Sequence, residues 1–402
     1  MGKLTGYARN PRKNDHVVDK MVEAINEFGF RIPIIAKSDG TVVDGHLRLK
    51  AAVQMGISEV PVALADDLSD AQVKAFRLLA NRSVTWADWD DELLALELGE
   101  LQDLNFDLAL TGFSELELSG FLAEQTEGLT DPEDVPDVPD APVTVLGDVW
   151  LLGRHRVMCG DSTSIDAVEL LMGGHKADMV FTDPPYNIDY GNIKHPKSKV
   201  RQIENDNMSG EDFKDFCASF VACIKAACNG CVYVFGHPGP DGRIMFTELD
   251  AVLHCSTTIV WNKDAFTLGR GKYQNKYEPC WFGWNDSGAA FINDRKLTNV
   301  WDFPRPRDSK LHPTMKPVAI VENAIGHASN VGGTVLDLFG GSGTTAIACE
   351  KTARDCRMME LDPKYCDVII TRWQNFTGQQ ATLESTGQTF TEISAQRLQE
   401  AA

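Results

Sequence analysis

The chain has 402 residues, 43% of them hydrophobic and 24% charged, and a formal net charge of −20. That length holds two or three domains with ample core, and the charge argues against a surface coated for non-specific nucleic-acid binding while leaving room for a local basic face. No apolar run approaches the ~20 residues of a membrane span, and Met1 to Gly6 has neither a signal-peptide apolar core nor the Ser or Thr of a myristoylation site. The expectation is a cytoplasmic protein with no membrane partner.

The ten cysteines are scattered, mostly in apolar surroundings, and read as reduced core thiols. Cys228 and Cys231 form a lone C-x-x-C with no second pair at zinc-site spacing, so no metal is expected.

From the N-terminus, residues 10 to 65 carry a compact α/β pattern. Asn14 or Asp15 can cap a helix whose apolar positions Val17, Val18, Met21, Ala24, Ile25 and Phe28 keep helical spacing up to Gly29. Strands are expected at 33–36 and 41–44 around a Ser38-Asp39-Gly40 turn, then a helix from Gly45 and a strand at 60–62. Residues 66–124 read as a helical extension, with helices at 71–80, 91–102 and 114–122 and no chemistry suggested. Glu124, Glu127, Asp131, Glu133, Asp134, Asp137 and Asp140 have no basic residue among them. With the intervening prolines they predict a solvated, mobile linker over 125–146.

Beyond the linker come short strands at 148–153 and 156–162, a helix at 165–172, and a strand at 177–182. A helix at 211–227 and strands at 231–235 and 259–262 continue the alternation, which predicts a parallel, doubly wound α/β sheet over 147–378. Residues 379–402 lack a core pattern and read as a flexible tail.

The strand at 177–182 runs into Asp183-Pro184-Pro185-Tyr186. Each proline fixes φ and removes a backbone donor, and Pro184 pushes Asp183 towards an extended conformation. The strand end therefore presents a carboxylate, the Pro184 carbonyl and an aromatic ring where open α/β sheets bind ligands. Such a pocket suits a flat group bearing an NH2: two acceptors for its hydrogens and Tyr186 to stack on. The plainer alternative is a strand-ending turn.

A second apolar strand at 335–339 leads directly into Gly340-Gly341-Ser342-Gly343-Thr344-Thr345 and a helix. Glycines at a strand-to-helix turn let a ligand approach the backbone and the helix N-terminus. The next strand, 357–360, ends in Glu360, where a ribose-binding carboxylate belongs. A dinucleotide site competes, since Gly341-Ser342-Gly343-Thr344-Thr345-Ala346 satisfies its spacing formally; a P-loop fails because no Gly-Lys-Ser/Thr follows.

Two resemblances follow from these residues. Residues 1–65 resemble the ParB/sulfiredoxin-like domain, on Asn10-Pro11-Arg12, Val43-Asp44-Gly45-His46-Leu47-Arg48 and Gly56-Ile57-Ser58-Glu59-Val60-Pro61-Val62. Partitioning ParB proteins usually carry Gly-Glu-Arg-Arg where this chain has Gly-His-Leu-Arg, so a scaffold for contacts or DNA engagement is favoured over a second active site. The remainder, about 147–377, closely resembles the β class of amino-methylating DNA methyltransferases, on Asp-Pro-Pro-Tyr, then His312-Pro313-Thr314-Met315-Lys316-Pro317, then Asp337 to Thr345. In that class the catalytic motif precedes the donor motif, a circular permutation of the Rossmann-like methyltransferase sheet.

The second resemblance implies S-adenosylmethionine as donor, with its methionine end over Phe339, Gly340, Gly341, Ser342, Gly343, Thr344 and Thr345, and Asp337 in the same motif. It implies Glu360 on the ribose hydroxyls, Asp161 near the adenine and Lys316 near the donor carboxylate. It implies catalysis by Asp183, Pro184, Pro185 and Tyr186 on a base flipped out of double-stranded DNA, and a homodimer. An initial Asp in the motif leans towards adenine N6 over cytosine N4. Recognition is expected from about 190 to 308, through Lys194, Lys197, Lys199, Arg201, Arg270, Lys272, Arg305 and Arg307. Lys263, Lys276, Arg295, Lys296, Tyr273, Tyr277 and Trp301 join that basic and aromatic face. Rival readings are a methyltransferase acting on RNA or protein glutamine, and a ParB-like DNA-binding or nucleotide-hydrolysing protein with a vestigial methylase half. The recognition sequence and a restriction partner are left open.

Overall fold

The computed structural model describes residues 4–6, 14–83, 89, 91–113, 117–118, 121–122, 128–188, 206–267, 272–285, 297–305 and 315–400. The chain divides into two compact units, Met1–Leu122 and Ala123–Ala402.

In the first unit a 3₁₀ turn at Asp15–Val17 leads into α1 (Val18–Phe28), which ends at Gly29, where a φ of 72° lets the backbone N–H reach Ile25 O. The cap expected from Asn14 is not made: its side-chain oxygen accepts from Lys50 Nζ at 2.8 Å instead. There follow β1 (Ile34–Ala36), β2 (Val42–Asp44), α2 (His46–Gln54), β3 (Val62–Leu64), α3 (Asp70–Ser83) and α4 (Asp91–Asp103). β1 pairs antiparallel with β2 and parallel with β3, and Ile34, Val42 and Leu49 form the small core beneath. Gly45, at φ 95°, opens α2, and Arg48 folds back onto Asp44 (3.1 Å) and Pro33 O (3.4 Å). Asn10, Pro11 and Arg12 lie outside the described residues.

The second unit runs β4 (Val149–Leu152), β5 (His155–Cys159), α5 (Ile165–Met172), β6 (Ala177–Thr182), α6 (Gly210–Ala227), β7 (Cys228–Phe235), α7 (Pro240–Val252), β8 (His254–Thr267), β9 (Asn275–Trp284) and β10 (Val300–Asp302). It continues with α8 (Val318–Ala328), β11 (Thr334–Asp337), α9 (Thr344–Lys351), β12 (Asp355–Glu360), α10 (Pro363–Thr377), β13 (Thr382–Leu383) and α11 (Phe390–Glu400). Local signals set the helix ends: Ser164 and Ser209 cap α5 and α6, and Asp362 with Pro363 opens α10.

One sheet of ten strands, in the order β10-β8-β9-β7-β6-β11-β12-β5-β4-β13, organises this unit. Its centre, β7-β6-β11-β12-β5, is parallel as expected. The flanks correct the expectation of an all-parallel sheet: β9 runs antiparallel between β7 and β8, and β4 and β13 are antiparallel on the other side. Alternation along β6 explains the two faces. Met179 and Phe181 enter the core shared with α8, α9 and α10, while Val180 enters the core shared with α5, α6 and α7. β6 leads through α6 to one side and β11 leads through α9 to the other. The order therefore reverses between β6 and β11, a topological switch point.

Two segments differ from their sequence reading. The acidic stretch is docked rather than solvated over its described part. Leu129 N–H donates to Phe376 O, Glu133 accepts from Val318 N–H at the start of α8 (2.7 Å), and Asp367 accepts from the N–H groups of Val143 and Thr144. Composition reports its charge, but backbone groups and a carboxylate at a helix N-terminus hold it. The tail from 379 is likewise ordered. β13 pairs with β4, the Phe390 ring meets Trp150 at 5.2 Å, Ile393 is buried, and Arg397 bonds Val143 O and Asp148. Its few apolar anchors are too widely spaced to show a periodicity.

All ten cysteines are free and, apart from Cys255, buried. Burial pushes the Cys228 and Cys231 thiols up to about 12, as inert core groups. Among the described residues no helix is long and apolar enough to cross a membrane.

Candidate active site

Parallel pairing of β6 with β11 aligns Met179 with Val335 and Val180 with Leu336, so the two strand ends that carry the motifs leave the sheet side by side. Asp337 ties them together. Its Oδ1 accepts from Thr182 Oγ1 at 2.8 Å and from Phe339 N–H at 3.1 Å, and its Oδ2 accepts from Thr345 Oγ1 at 2.7 Å. Thr182 Oγ1 in turn accepts from Leu338 N–H. One carboxylate thus clamps the end of β6, the turn after β11 and the first turn of α9. Burial raises its pKa to about 7 against those hydrogen bonds. Expected among the cofactor-binding residues, Asp337 has both oxygens committed to protein donors.

At the end of β6 the Asp183 side chain is 24% exposed and meets the Lys316 ammonium at 2.5 Å through Oδ2. Tyr186 OH donates to Asp183 Oδ1 at 2.5 Å and accepts from Lys316 Nζ at 3.1 Å. Lys316, only 5% exposed, also lies 2.9 Å from Glu278 on β9, and Glu278 pairs through its other oxygen with Lys263 on β8. Two carboxylates and two ammoniums therefore alternate, backed by the rings of Phe235 and Trp261 at 4.8 and 5.9 Å from Lys316 Nζ. Burial raises the Asp183 pKa against the pull of Lys316, and the charge of Glu278 raises it further. Glu278 is held below its usual range because Lys316 and Lys263 outweigh its burial. Lys316 is held above its usual value because the two carboxylates outweigh its burial. Pro184 is buried and Pro185 half-buried beneath this cluster.

The glycine turn lies beside it. Gly341 (φ 51°) and Gly343 (φ 83°) take the left-handed conformation that glycine permits. A side chain on Gly343 would press on Ile369, and one on Gly340 on Met358, whereas above Gly341 the space is open. Gly341 N–H donates to Glu360 Oε2 at 2.7 Å, and Asp362 N–H to Oε1 at 2.9 Å. Phe339 is half-buried against Phe220 and Phe216. Asp161 follows the end of β5, the strand next to β12, exposed and accepting from Thr163. Ser342 and Thr344 are engaged by Arg372 of α10, at 2.9 Å to Ser342 O and 3.2 Å to Thr344 Oγ1, and Arg372 also holds Pro132 O at 2.7 Å.

Burial raises the Glu360 pKa to about 7, against the two N–H donors. A carboxyl with a raised folded pKa keeps its proton in the folded chain while the unfolded chain loses it, so stability falls as pH rises from about 4.5 to about 7. Asp337 adds to the same slope. Glu360→Gln cannot ionise. Its urea midpoint is expected to drop less between pH 5 and pH 7.5 than the parent's, about the interval in which the parent loses the proton. An equal drop removes the assignment.

Of the expected DNA contacts, Lys194, Lys197, Lys199, Arg201, Arg270 and Arg307 lie outside the described residues, as do Arg295 and Lys296. Lys272 is exposed, with Tyr273 and Lys276 beside it. The Arg305 guanidinium is 4.0 Å from Asp264. Lys263 and Trp301, counted with that face, are buried instead, Lys263 on Glu278 and Trp301 in the core. Described residues flanking the 189–205 segment are drawn together by Asn187. At φ 60°, it accepts from Met208 N–H and donates to Met208 O.

Sequence reading missed Glu278 and Arg372. Glu278 sits in β9, whose Pro279 and Gly283 interrupt the strand pattern. Arg372 could have been noticed as a lone cation on the apolar face of α10. The Lys316 ammonium, expected near a donor carboxylate, is bound to Asp183 and Glu278.

Residues 177–371 match a family described as DNA methylase, and residues 92–146 one described as the ParB-methyltransferase HTH domain. That second match spans most of the stretch read as helical extension and linker. The Type II methyltransferase M.HpaI of Haemophilus parainfluenzae is 27% identical over 249 residues, covering 54% of this chain and 74% of that protein. The DNA adenine methyltransferase YhdJ of Escherichia coli K12 is 27% identical over 233 residues, covering 48% and 75%. A crystal structure of an M1.HpyAVI–SAM complex is 21% identical with a TM-score of 0.40, covering 54% of this chain and 98% of that one. The region holding both the Asp183 cluster and the glycine turn is thus the part of the chain that matches the DNA methylase family, and the segment before it matches the ParB-methyltransferase HTH domain.

Proposed function

We propose that this chain methylates double-stranded DNA at the exocyclic amine of a flipped base, adenine N6, with S-adenosylmethionine as donor. The observation that carries the reading is the β6/β11 switch point, where the strand end leading into Asp183 and the glycine turn are tied to one carboxylate, Asp337, through Thr182 and Thr345. The residues present suit that donor. Open space over Gly341 admits a ligand against the backbone, Glu360 can accept from ribose hydroxyls, Asp161 lies one strand further on for the adenine, and Phe339 offers a ring face. When bound, S-adenosylmethionine supplies a methyl group on a sulfonium, an electrophile whose charge disappears as the methyl leaves.

The chain's own residues do the rest. Asp183 and the Pro184 carbonyl accept the two amine hydrogens, which favours a pyramidal nitrogen with a usable lone pair. Asp183 takes the proton that the nitrogen sheds as its bond to carbon forms, while the C–S pair stays on sulfur. Tyr186 provides the surface on which the flipped base stacks, and its hydroxyl orients Asp183. The buried aromatic surround excludes water and favours dispersal of charge. Asp337 and Arg372 position the turn without touching the reacting atoms.

Adenine is favoured over cytosine N4 by the initial Asp of the motif and by the similarity to an enzyme named as a DNA adenine methyltransferase. The same reading has the chain work in the cytoplasm as a homodimer, with residues 1–65 and the HTH segment engaging DNA rather than hydrolysing a nucleotide. The test is to incubate the full chain with S-adenosylmethionine and bacterial DNA, hydrolyse the DNA to nucleosides and identify them by mass spectrometry. N6-methyladenine is the expected product. N4-methylcytosine would transfer the reading to the other amine, and neither product would overturn it.

A further inference from the structure

We propose that Glu278 is a positioning residue for methyl transfer: it is the second anion on which Lys316 stays paired when the target amine takes over Asp183. The inference rests on the proposed function and deepens it. As the site stands, both Asp183 oxygens are already engaged, Oδ2 by the Lys316 ammonium at 2.5 Å and Oδ1 by Tyr186 OH at 2.5 Å. An ammonium that close draws electron density from the oxygen and competes with an amine N–H for it. Lys316 must therefore loosen its hold for the amine to be gripped, yet it is 5% exposed and a buried ammonium cannot be left without a counter-ion.

Glu278 resolves that conflict. Its Oε2 lies 2.9 Å from the same nitrogen, so a small displacement transfers the ammonium from one carboxylate to the other without exposing it. Lys263 grips the other oxygen of Glu278 and fixes it from the far side. Glu278 projects from a strand paired on both edges, with β7 and β8, and lies opposite Trp261, so its position does not depend on a loop. The groups facing the pair are Lys316, Lys263 of β8, Tyr186, His237 beside the Tyr186 ring, Cys280 of β9 and Asp337 of β11. Among these the two lysines carry the opposing charge. Glu278 thereby keeps Asp183 a stronger acceptor than Lys316 alone would leave it.

The experiment compares the full chain with Glu278→Gln and Lys263→Met. Single-turnover methylation of bacterial DNA is followed from pH 5 to pH 9, with S-adenosylmethionine affinity measured by calorimetry. Glu278→Gln is expected to lower the plateau rate about tenfold or more and shift the acidic limb to lower pH, because Asp183 loses a neighbouring negative charge. Donor affinity is expected to stay within about twofold, since Glu278 is on β9, which β7 and β6 separate from β11 and its glycine turn. Lys263→Met is expected to shift the limb the other way, because removing a positive charge raises both carboxyls. A merely structural role would move neither limb in a charge-dependent direction. If Glu278→Gln does not fold, the Lys263→Met limb decides alone. A parent chain that methylates DNA, with variants whose limbs are unmoved, overturns this inference and leaves the proposed function intact; a parent that transfers no methyl group overturns both.

Discussion

Asp183→Ala is expected to slow methyl transfer by about 10²–10⁴-fold, the contribution of a positioned acid–base group, while S-adenosylmethionine still binds. The loss follows from removing the acceptor that both aligns the amine and takes its proton. Folding should survive, because Lys316 keeps Glu278 as a counter-ion 2.9 Å away and is not stranded. Lys316→Ala is the harsher change, since it leaves Asp183 and Glu278 facing each other without their shared cation. Transfer of a labelled methyl group under single-turnover conditions, with calorimetric donor binding beside it, separates chemistry from binding. A variant with the parent's rate would remove Asp183 from the mechanism.

Asp337→Ala is expected to cost about 2–4 kcal/mol of stability and to weaken donor binding at least about tenfold. Alanine leaves Thr182 Oγ1, Thr345 Oγ1 and Phe339 N–H without their shared acceptor in a buried site. It also frees the end of β6 from the start of α9, so the catalytic carboxylate and the glycine turn lose their common alignment. Asp337→Asn should be much milder. With a carboxyl pKa of about 7, the negative charge is already partly absent near neutrality. An amide oxygen can still accept from Thr182 and Phe339, and its NH2 can donate to the Thr345 hydroxyl once that rotates. Urea unfolding and calorimetry on the two variants test the ordering; equal losses would mean that charge, not geometry, is what Asp337 provides.

Much of this site was legible in the chain itself because its signals are local. Asp183-Pro184-Pro185-Tyr186 ends a strand by proline geometry alone. The glycines from 340 to 343 announce a tight strand-to-helix turn, and Glu360 closes the following strand at the distance a nucleotide site requires. The helix ends at Gly29, Ser164, Ser209 and Asp362–Pro363 are likewise written in neighbouring residues.

Pairings between distant residues were not. That Lys316 sits on Asp183, 133 positions away, and that Glu278 waits behind it, depends on how β9 is inserted between β7 and β8. The commitment of Asp337 to Thr182, 155 positions away, depends on β6 and β11 being neighbours. The acidic stretch and the segment after 379 read as solvated because composition counts charges and apolar periods. What holds them is a set of single contacts: Glu133 on the N-terminus of α8, Asp367 on two backbone N–H groups, β13 on β4 and Phe390 on Trp150. The amino-acid order determined which chemical groups this protein owns and where its strands stop, since those follow from adjacent dihedrals and hydrogen bonds. Only the tertiary structure decided which of those groups share a charge, because a buried ion pair forms between residues that the sheet, not the chain, makes neighbours.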